Sequence, residues 1–560
     1  MKPRHLLLTL GVALSVVACV KTPETTIPPD SVHSQPLLQE PLQIQDEIRS
    51  HNQPNLVRQK AAVGAAMEIS AIAALPTAER LDRENYHHFD DNPLKLVADK
   101  PVSTFSIDVD TGAYANVRRM LMEGRLPPSD AVRAEELINY FGYADPVPGQ
   151  GERPFNVNLQ LGPTPWNANT HLLRIAVKAQ EVETEGLPPV NLVFLADVSG
   201  SMNAPNKLPL LKRSLQMLSR EMDKDDRVSI VVYAGASGVV LEPTAGDQSA
   251  TIEQALEKLS AGGSTNGGAG IRLAYAKARE AFIDGGINRV ILATDGDFNI
   301  GTVNHQALLD LIEQQRNAGI ALTTLGFGSG NYNDHLMEQL ADHGNGNYAY
   351  IDSLLEARKV LVEQIGGTLL TVAKDVKIQV EFNPAWVEEY RLIGYENRAL
   401  RREDFNNDKV DAGEIGAGHS VVALYEIALK GEKGERVDPL RYARKHEPHM
   451  AYTDEIAFVK LRYKQPGKTS SQLIEYPLER SDGVSRLAET TDDYRFSAAV
   501  AAFAQRLRGG KYLEGFDYPQ IIELARHSRG TDARGYRSDF LRMAGLARSL
   551  QPQPLAGKVD

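Results

Sequence analysis

The sequence has a single cysteine, fewer basic than acidic residues, and no long apolar run. With Cys19 as its one cysteine, the chain cannot form an internal disulfide. It has 61 Lys and Arg against 73 Asp and Glu, a formal net charge of −12. This balance argues against a general nucleic-acid-binding protein, because such proteins usually present a basic face. No apolar run reaches the roughly 18 residues of a membrane-spanning helix, so the sequence predicts no transmembrane segment.

The first residues have the pattern of an export signal. A short basic start precedes the 13-residue apolar stretch Leu6–Ala18, which predicts a signal peptide over residues 1–18. The stretch ends in Val16-Val17-Ala18-Cys19, which resembles the lipobox of bacterial lipoproteins. That resemblance implies cleavage before Cys19 and a lipid on its sulfur. Because valine and not aspartate follows the cysteine, the resemblance favours sorting to the outer membrane. We expect a lipid-anchored cell-envelope protein that faces the periplasm, and exposure on the cell exterior is the alternative.

One stretch near the middle of the chain combines a buried strand with oxygen ligands. The run Val190–Ala196 is almost continuously apolar, which is typical of a strand buried on both faces. It is followed by Asp197, Ser199 and Ser201. In an open α/β sheet, ligands bind beyond the carboxyl ends of the strands. One carboxylate and two hydroxyls on a tight loop suit Mg²⁺ or Mn²⁺, which prefer oxygen ligands.

Two later segments supply further oxygen ligands. Residues 262–268 form a glycine-rich loop that contains Thr265 and precedes a helical pattern. The apolar run 290–293 is a second buried strand, and Asp295 follows it. Caps of loops and helices explain any one of the three segments, but they do not explain all three together. The sequence therefore predicts one metal site built from three separate segments.

These segments resemble a von Willebrand factor type A domain with a complete metal-ion-dependent adhesion site. The resemblance implies a doubly wound, mainly parallel α/β sheet over residues 190–365 and binding of Mg²⁺ or Mn²⁺. It implies five metal ligands: Asp197, Ser199, Ser201, Thr265 and Asp295. Asp297 and Asn266 are possible outer-shell residues that orient ligands or waters. For Asp297, a solvent-facing loop carboxylate is the preferred interpretation.

A wider resemblance covers most of the chain. Phe105–Thr111 and Arg133–Phe141 carry phrases that resemble bacterial type A domain lipoproteins of the YfbK type, and the resemblance runs from about residue 90 to the C-terminus. The resulting prediction divides the chain into a signal peptide (1–18), a lipid-anchored disordered tether (19–92), a small N-terminal α+β domain (93–150), strands and a linker (151–189), the type A domain (190–365), a β-rich domain (366–485), a helical C-terminal segment (486–550) and a tail (551–560).

The strand-like segments on both sides of the type A domain lead to a hypothesis about topology. Residues 155–179 and 374–463 both show strand patterns. They are therefore expected to share one β-sandwich, with the type A domain inserted between them. Within the second segment, residues 404–411 carry spaced acidic and amide side chains that hint at calcium. The EF-hand spacing is not met, so a polar loop is preferred.

Two familiar catalytic patterns are rejected. Val109-Asp110-Thr111-Gly112-Ala113 is similar to the aspartic protease motif, but that chemistry needs a second copy or a symmetric dimer. The haloacid-dehalogenase pattern fails because Thr111 comes one position early. The stretch is interpreted as a strand, a turn and a helix.

The expected function is binding, with no catalytic residue assigned. The partner is an unidentified protein whose acidic side chain completes the metal's coordination shell, and nucleic acid is not expected. A metal-assisted hydrolase remains an alternative, although it needs a positioned general base and Asp297 is the only local candidate. The third hypothesis about function is a purely structural envelope protein with a non-functional metal site.

Overall fold

The computed structural model describes residues 83–149, 153–182, 188–296, 298, 305–438 and 452–551. The predicted signal peptide, the lipidated Cys19 and most of the predicted tether lie outside these residues. Asp297 and residues 552–560 lie outside them as well.

The described residues form sixteen strands and twelve α-helices. The strands are β1 (Lys95–Leu96), β2 (Val102–Ser106), β3 (Phe155–Thr164), β4 (Asn167–Ala179), β5 (Val190–Asp197), β6 (Arg227–Tyr233), β7 (Ser237–Ala245), β8 (Ile287–Thr294), β9 (Ile320–Phe327), β10 (Tyr348–Ile351), β11 (Thr371–Phe382), β12 (Val387–Ile393), β13 (Ile415–Gly416), β14 (Ser420–Leu429), β15 (Glu455–Lys464) and β16 (Ser471–Glu479). The helices are α1 (Gly112–Met122), α2 (Ala134–Asn139), α3 (Leu208–Ser219), α4 (Ser249–Glu257), α5 (Gly267–Glu280), α6 (His305–Asn317), α7 (Asp334–His343), α8 (Leu354–Arg358), α9 (Ile365–Leu369), α10 (Asp492–Leu507), α11 (Tyr518–His527) and α12 (Tyr536–Leu550). No helix in the described part of the chain is long and apolar enough to cross a membrane.

The central part of the chain is a doubly wound α/β sheet, as predicted. Its strand order is β10-β9-β8-β5-β6-β7, and only the edge strand β7 runs antiparallel to its neighbour. Every residue of β5 is buried, because α3, α4 and α8 cover one face of the sheet and α5, α6 and α7 cover the other. This two-sided burial explains the continuous apolar runs in β5 and β8.

The strands on either side of this α/β unit share one β-sandwich. One sheet has the order β1-β12-β14-β4-β3, and the second contains β13, β11, β15 and β16, with β2 paired to β11. The antiparallel pairing of β4 with β14 joins segments from before and after the α/β unit, which is the arrangement expected from their order. The two sheets enclose a core of their own.

Residues 93–149 do not form a sheet of their own. β1 pairs with β12, and β2 pairs with β11, so both strands belong to the sandwich. α1 and α2 pack with α10, α11 and α12 in a helical layer over the β4–β14 face. The expectation of a small separate α+β domain here does not match this pairing.

The end of the predicted tether is also ordered against the body of the protein. The Glu84 carboxylate accepts a hydrogen bond from Arg119 at 2.8 Å and is 1% exposed. Asn85 forms a parallel β-bridge with Asn333. A tether over residues 83–92 is therefore wrong, because a buried ion pair and backbone pairing hold this segment.

Two helical segments are interrupted in the structure. Residues 129–139 form a 3-10 turn (Ser129–Ala131) followed by α2, because Arg133 is extended and its guanidinium contacts Glu136 and Asp334. Residues 354–369 form α8, a π-helical turn (Lys359–Glu363) and then α9. The π-helical conformation is rare and occurs mostly as single turns inside helices.

Candidate metal centre

The two predicted carboxylate ligands lie at one edge of the α/β sheet. Asp197 is the last residue of β5, and Asp295 follows the last residue of β8. β5 and β8 are parallel neighbours, with Ala196 paired to Ala293. Both carboxylates are fully buried, with 0% exposure. The two aspartates that follow buried strands in the sequence thus lie next to each other at this edge of the sheet.

Hydrogen bonds fix the Asp197 carboxylate. Its Oδ1 accepts the Ser199 backbone N–H at 2.8 Å. Its Oδ2 accepts the Thr294 hydroxyl at 2.9 Å and the Tyr233 hydroxyl at 3.3 Å. Burial raises the pKa of Asp197, and the nearby Asp295 charge raises it further, while the Ser199 and Thr294 hydrogen bonds act in the opposite direction. The charged form of the buried Asp197 carboxyl would therefore be favoured by a cation bound next to it.

The serine hydroxyls lie on the same loop, at its solvent side. Ser199 Oγ and Ser201 Oγ are 3.0 Å apart. Ser199 is 2% exposed, whereas Gly200 and Ser201 are exposed. The loop thus leads from the buried carboxylates to the protein surface.

The Thr265 loop is joined to the Asp197 loop through its backbone. Gly262 donates its N–H to the Val198 carbonyl at 2.8 Å, and Gly200 donates to the Gly263 carbonyl at 3.0 Å. Gly263 has a φ of +83°, a conformation that favours glycine. Thr265 is half-buried two residues further on, and the half-buried Asn266 caps the start of α5 without a side-chain hydrogen bond.

A lysine that the sequence reasoning missed completes this arrangement. Lys207 directly precedes α3, and its Nζ donates to Asp295 Oδ2 at 2.7 Å. The pair is buried, with side-chain exposures of 8% and 0%. The only signal in the sequence is a basic residue before an amphipathic helix, and that pattern is usually solvent-exposed.

The side chains present at this edge fit a divalent cation. The donor set is entirely oxygen, from carboxylates and hydroxyls, which is the chemistry that Mg²⁺ and Mn²⁺ prefer. The Lys207 ammonium contacts Asp295 and offsets part of the negative charge of the two buried carboxylates. The residues that would hold the ion are the five predicted ligands, and their assignment as ligands stays a prediction. The possible contribution of Asp297 falls outside the described residues.

A second acidic cluster lies where residues 105–140 meet α7. Carboxylate oxygens of Asp108, Glu136 and Glu338 lie within 4.8 Å of one another, and all three residues are buried. Arg133 contacts Glu136, and Arg398 donates to Asp108 at 3.3 Å and to Glu338 at 3.2 Å. We call these five residues the junction cluster. Because two guanidiniums already supply positive charge there, the cluster does not require a metal ion.

The polar loop at residues 404–411 uses its carboxylates for contacts within the protein. Asp404 accepts the Arg401 backbone N–H at 3.2 Å. Asp408 accepts the Ser471 hydroxyl at 2.6 Å, and Asp411 accepts Arg316 at 2.8 Å. Since these side chains bind separate partners, the geometry favours the polar-loop interpretation over calcium.

Comparison with family models divides the chain in three. Residues 191–364 match the model described as von Willebrand factor type A domain. Residues 367–550 match the model described as uncharacterized protein YfbK, C-terminal. Residues 80–174 match a model described as von Willebrand factor.

Three relatives differ in how much of the chain they share. A protein of Escherichia coli (strain K12), described as uncharacterized protein YfbK, is 48% identical over 469 residues, which span 82% of this chain and 80% of that protein. Uncharacterized protein sll0103 of Synechocystis sp. is 29% identical over 338 residues, or 60% of this chain and 75% of that protein. Human inter-alpha-trypsin inhibitor heavy chain H3 is 25% identical over 269 residues, or 44% of this chain and 29% of that protein.

Among solved structures, the von Willebrand factor type A protein of Catenulispora acidiphila covers 71% of this chain and 90% of its own. It has 14% sequence identity and a TM-score of 0.40.

Proposed function

The chain belongs to the YfbK family of proteins with a von Willebrand factor type A domain, and on that premise we propose that it is a cell-envelope protein that binds a protein partner through a divalent metal ion. The metal is Mg²⁺ or Mn²⁺, held by Asp197, Ser199, Ser201, Thr265 and Asp295. An acidic side chain of the partner occupies the remaining coordination position.

The observation that carries this proposal is the charge and exposure of the sheet edge. Asp197 and Asp295 are fully buried, while the loops around them are exposed at Ser201 and at residues 262–264. Buried carboxylates favour a cation, and the exposed rim leaves room for a second molecule. When bound, the ion supplies an open position for an oxygen ligand. With the Lys207 ammonium beside Asp295, the ion and the two carboxylates together would keep positive character and attract an anionic group.

The chain's own residues prepare the site for this ligand. The Ser199 backbone N–H and the Thr294 hydroxyl orient the Asp197 carboxylate. The 3.0 Å contact between Ser199 and Ser201 places two hydroxyl oxygens side by side. These contacts fix the donor atoms before any ion arrives, which reduces the entropy lost on binding.

We also propose that the protein is not an enzyme. Metal-assisted hydrolysis needs a group that takes a proton from the attacking water. The ammonium of Lys207 cannot accept a proton while it is paired with Asp295. The hydroxyls of Ser199 and Thr294 are weak bases. These contacts of the described side chains support binding over turnover, whereas Asp297, the one candidate base named from the sequence, lies outside the described residues.

The location in the envelope is proposed from the lipobox resemblance at Cys19. A full-length chain that carries a lipid on Cys19 should fractionate with membranes. Cys19→Ala should move it to the soluble fraction without changing its thermal stability. Retention of that variant in the membrane fraction would contradict the lipid anchor.

The partner-binding proposal is tested by capture of an envelope protein on the immobilised full-length chain. Three conditions are compared: wild type with Mg²⁺, wild type with EDTA, and Asp197→Ala with Mg²⁺. Asp225→Ala is the matched control, because it removes an exposed carboxylate from the same domain. A protein retained only by wild type and Asp225→Ala with Mg²⁺ supports the proposal. A protein retained equally in every condition means that binding occurs elsewhere on the molecule.

A further inference from the structure

Lys207 places its ammonium group beside the candidate metal centre. Its ammonium lies 2.7 Å from Asp295 Oδ2, and neither side chain is more than 8% exposed. The Asp197 carboxylate lies at the same edge, at the end of the neighbouring strand. The ammonium of Lys207 thus offsets one of the two negative charges of these carboxylates.

The local backbone holds the lysine in this position. The Lys207 N–H donates to the Ala204 carbonyl at 3.0 Å, and the Lys207 carbonyl accepts the Leu211 N–H at 2.8 Å. Its aliphatic chain lies against Gly328, where an added Cβ would come within 2.3 Å of Lys207 Cε. Gly328 also has a φ of +73°, which disfavours a side chain there. The ammonium is therefore a built-in part of the site and not a mobile surface charge.

We propose that Lys207 couples metal binding to binding of the partner's acidic group, an inference that rests on the metal-dependent function proposed above. A divalent ion at Asp197 and Asp295 leaves the site with one excess positive charge because Lys207 is present. A carboxylate from the partner restores neutrality. The metal alone is therefore bound weakly, and the metal together with an anionic ligand is bound tightly.

The coupling follows from the cost of net charge in a buried site. A unit positive charge a few ångströms from a divalent ion repels it more strongly in a buried site, with an effective dielectric constant of about 20, than in water, where it is about 80. Without Lys207, the two aspartates would neutralise the ion by themselves, and a partner carboxylate would gain less. Lys207 thus weakens metal affinity and strengthens the preference for an acidic ligand.

The first test measures Mn²⁺ binding to the full-length chain in detergent, by electron paramagnetic resonance of the free ion. It uses wild type, Lys207→Met and Lys212→Met, with acetate present or absent as the anionic probe. Methionine keeps the length of the lysine side chain but removes its charge. Lys212 lies on α3 and donates to the Glu257 carbonyl at 2.7 Å, so its substitution makes the same charge change away from the carboxylates.

Lys207→Met is expected to change the Mn²⁺ affinity and its response to acetate in opposite directions. Lys207→Met should bind Mn²⁺ about tenfold or more tightly than wild type in the absence of acetate, because a repulsive charge is gone. Acetate should raise the Mn²⁺ affinity of wild type and of Lys212→Met, but not that of Lys207→Met. Unchanged or weaker Mn²⁺ binding by Lys207→Met, or the same acetate effect in all three proteins, would overturn the coupling.

Melting temperatures measured in EDTA test the charge of Lys207 separately from the metal-dependent binding function. In EDTA, Lys207→Met should lower the melting temperature, because Asp295 loses its counter-charge. Lys207→Met combined with Asp295→Asn should restore most of that loss. Equal melting temperatures of wild type and Lys207→Met in EDTA would refute the charge-balancing role. If the double variant restores the melting temperature as expected but wild type binds no Mn²⁺, the metal-dependent function is contradicted. The proposed coupling, which depends on that function, is then contradicted as well.

Discussion

The protein contains two buried acidic clusters that differ in their counter-charges and in their access to solvent. At the sheet edge, the Lys207 ammonium contacts Asp295, Asp197 accepts hydrogen bonds from neutral donors, and the surrounding loops are exposed. In the junction cluster, three carboxylates contact the guanidiniums of Arg133 and Arg398, and all three are buried. Carboxylate number alone would rank the junction cluster higher as a metal site.

The comparison shows that access to solvent and the number of donors that contact the carboxylates identify the metal site better than the number of acids. Two guanidiniums with forked donors satisfy several carboxylate oxygens at once. Arg133 also reaches Asp334 on α7, so the junction cluster joins residues 105–140 to the α/β unit. At the sheet edge, by contrast, one ammonium contacts Asp295, and the loops are exposed at Ser201 and at residues 262–264. One cluster is suited to holding parts of the fold together, and the other is suited to binding an ion.

The largest effect is expected from removing a guanidinium of the junction cluster. Arg133→Met leaves Glu136 and Asp334 buried without their partner. Loss of one member of a buried ion pair costs about 3–5 kcal/mol of the free energy of unfolding. Urea unfolding should show this loss, whereas Arg213→Met, at an exposed position, should change stability by less than about 0.5 kcal/mol. A loss below about 1 kcal/mol for Arg133→Met would contradict the stabilising role of the cluster.

Metal addition should distinguish the two clusters directly. A ligand that binds only the folded state at about 100 times its Kd stabilises the protein by about 2.7 kcal/mol. Mg²⁺ or Mn²⁺ should therefore raise the melting temperature of wild type and of Glu338→Gln. Asp197→Asn should show no such increase, although it has a similar shape. If Glu338→Gln abolishes the metal response and Asp197→Asn keeps it, the assignment of the two clusters is reversed.

The acidic pair at the sheet edge could be predicted from the sequence, but the junction cluster could not. Asp197 and Asp295 follow apolar runs, and parallel strands bring their carboxyl ends to one edge, so local pattern was sufficient. Asp108, Glu136 and Glu338 come from distant parts of the chain and meet only through tertiary packing. Lys207 was hidden for a related reason, since its buried position depends on Gly328 more than a hundred residues away. The same applies to β2, which pairs with β11 across the whole α/β unit.

The pH dependence of the free energy of unfolding should also reflect a buried carboxyl group next to the junction cluster. Burial, followed by the Glu396 and Asp108 charges, raises the pKa of Glu135 to about 8. A carboxyl group whose pKa is raised on folding contributes stability below its unfolded value, near pH 4.5, and loses it as the pH rises through 8. Glu135→Gln should therefore be more stable than wild type at pH 9 by about 1–2 kcal/mol, and similar at pH 5. Chemical unfolding of both proteins at the two pH values measures this difference, and parallel pH profiles would contradict it.

The smallest effect is expected at a second buried lysine, which sharpens the contrast with Lys207. Lys359 is 3% exposed, its Nζ lies 3.1 Å from the centre of the Tyr140 ring, and it has no hydrogen-bond acceptor among the described residues. Burial lowers its pKa to about 7, so its contribution to stability is present above its unfolded value of 10.5 and is lost as the pH falls through 7. The aromatic ring offsets part of this penalty. Lys359→Met should therefore raise the free energy of unfolding by about 1 kcal/mol at pH 6 and by less at pH 9.

In EDTA, Lys359→Met should stabilise the protein, whereas Lys207→Met should destabilise it. These opposite signs distinguish a buried amine without a counter-ion from a buried amine that is paired with a carboxylate. Destabilisation by both substitutions would mean that the contact of Lys359 with the Tyr140 ring outweighs the cost of burying its amine.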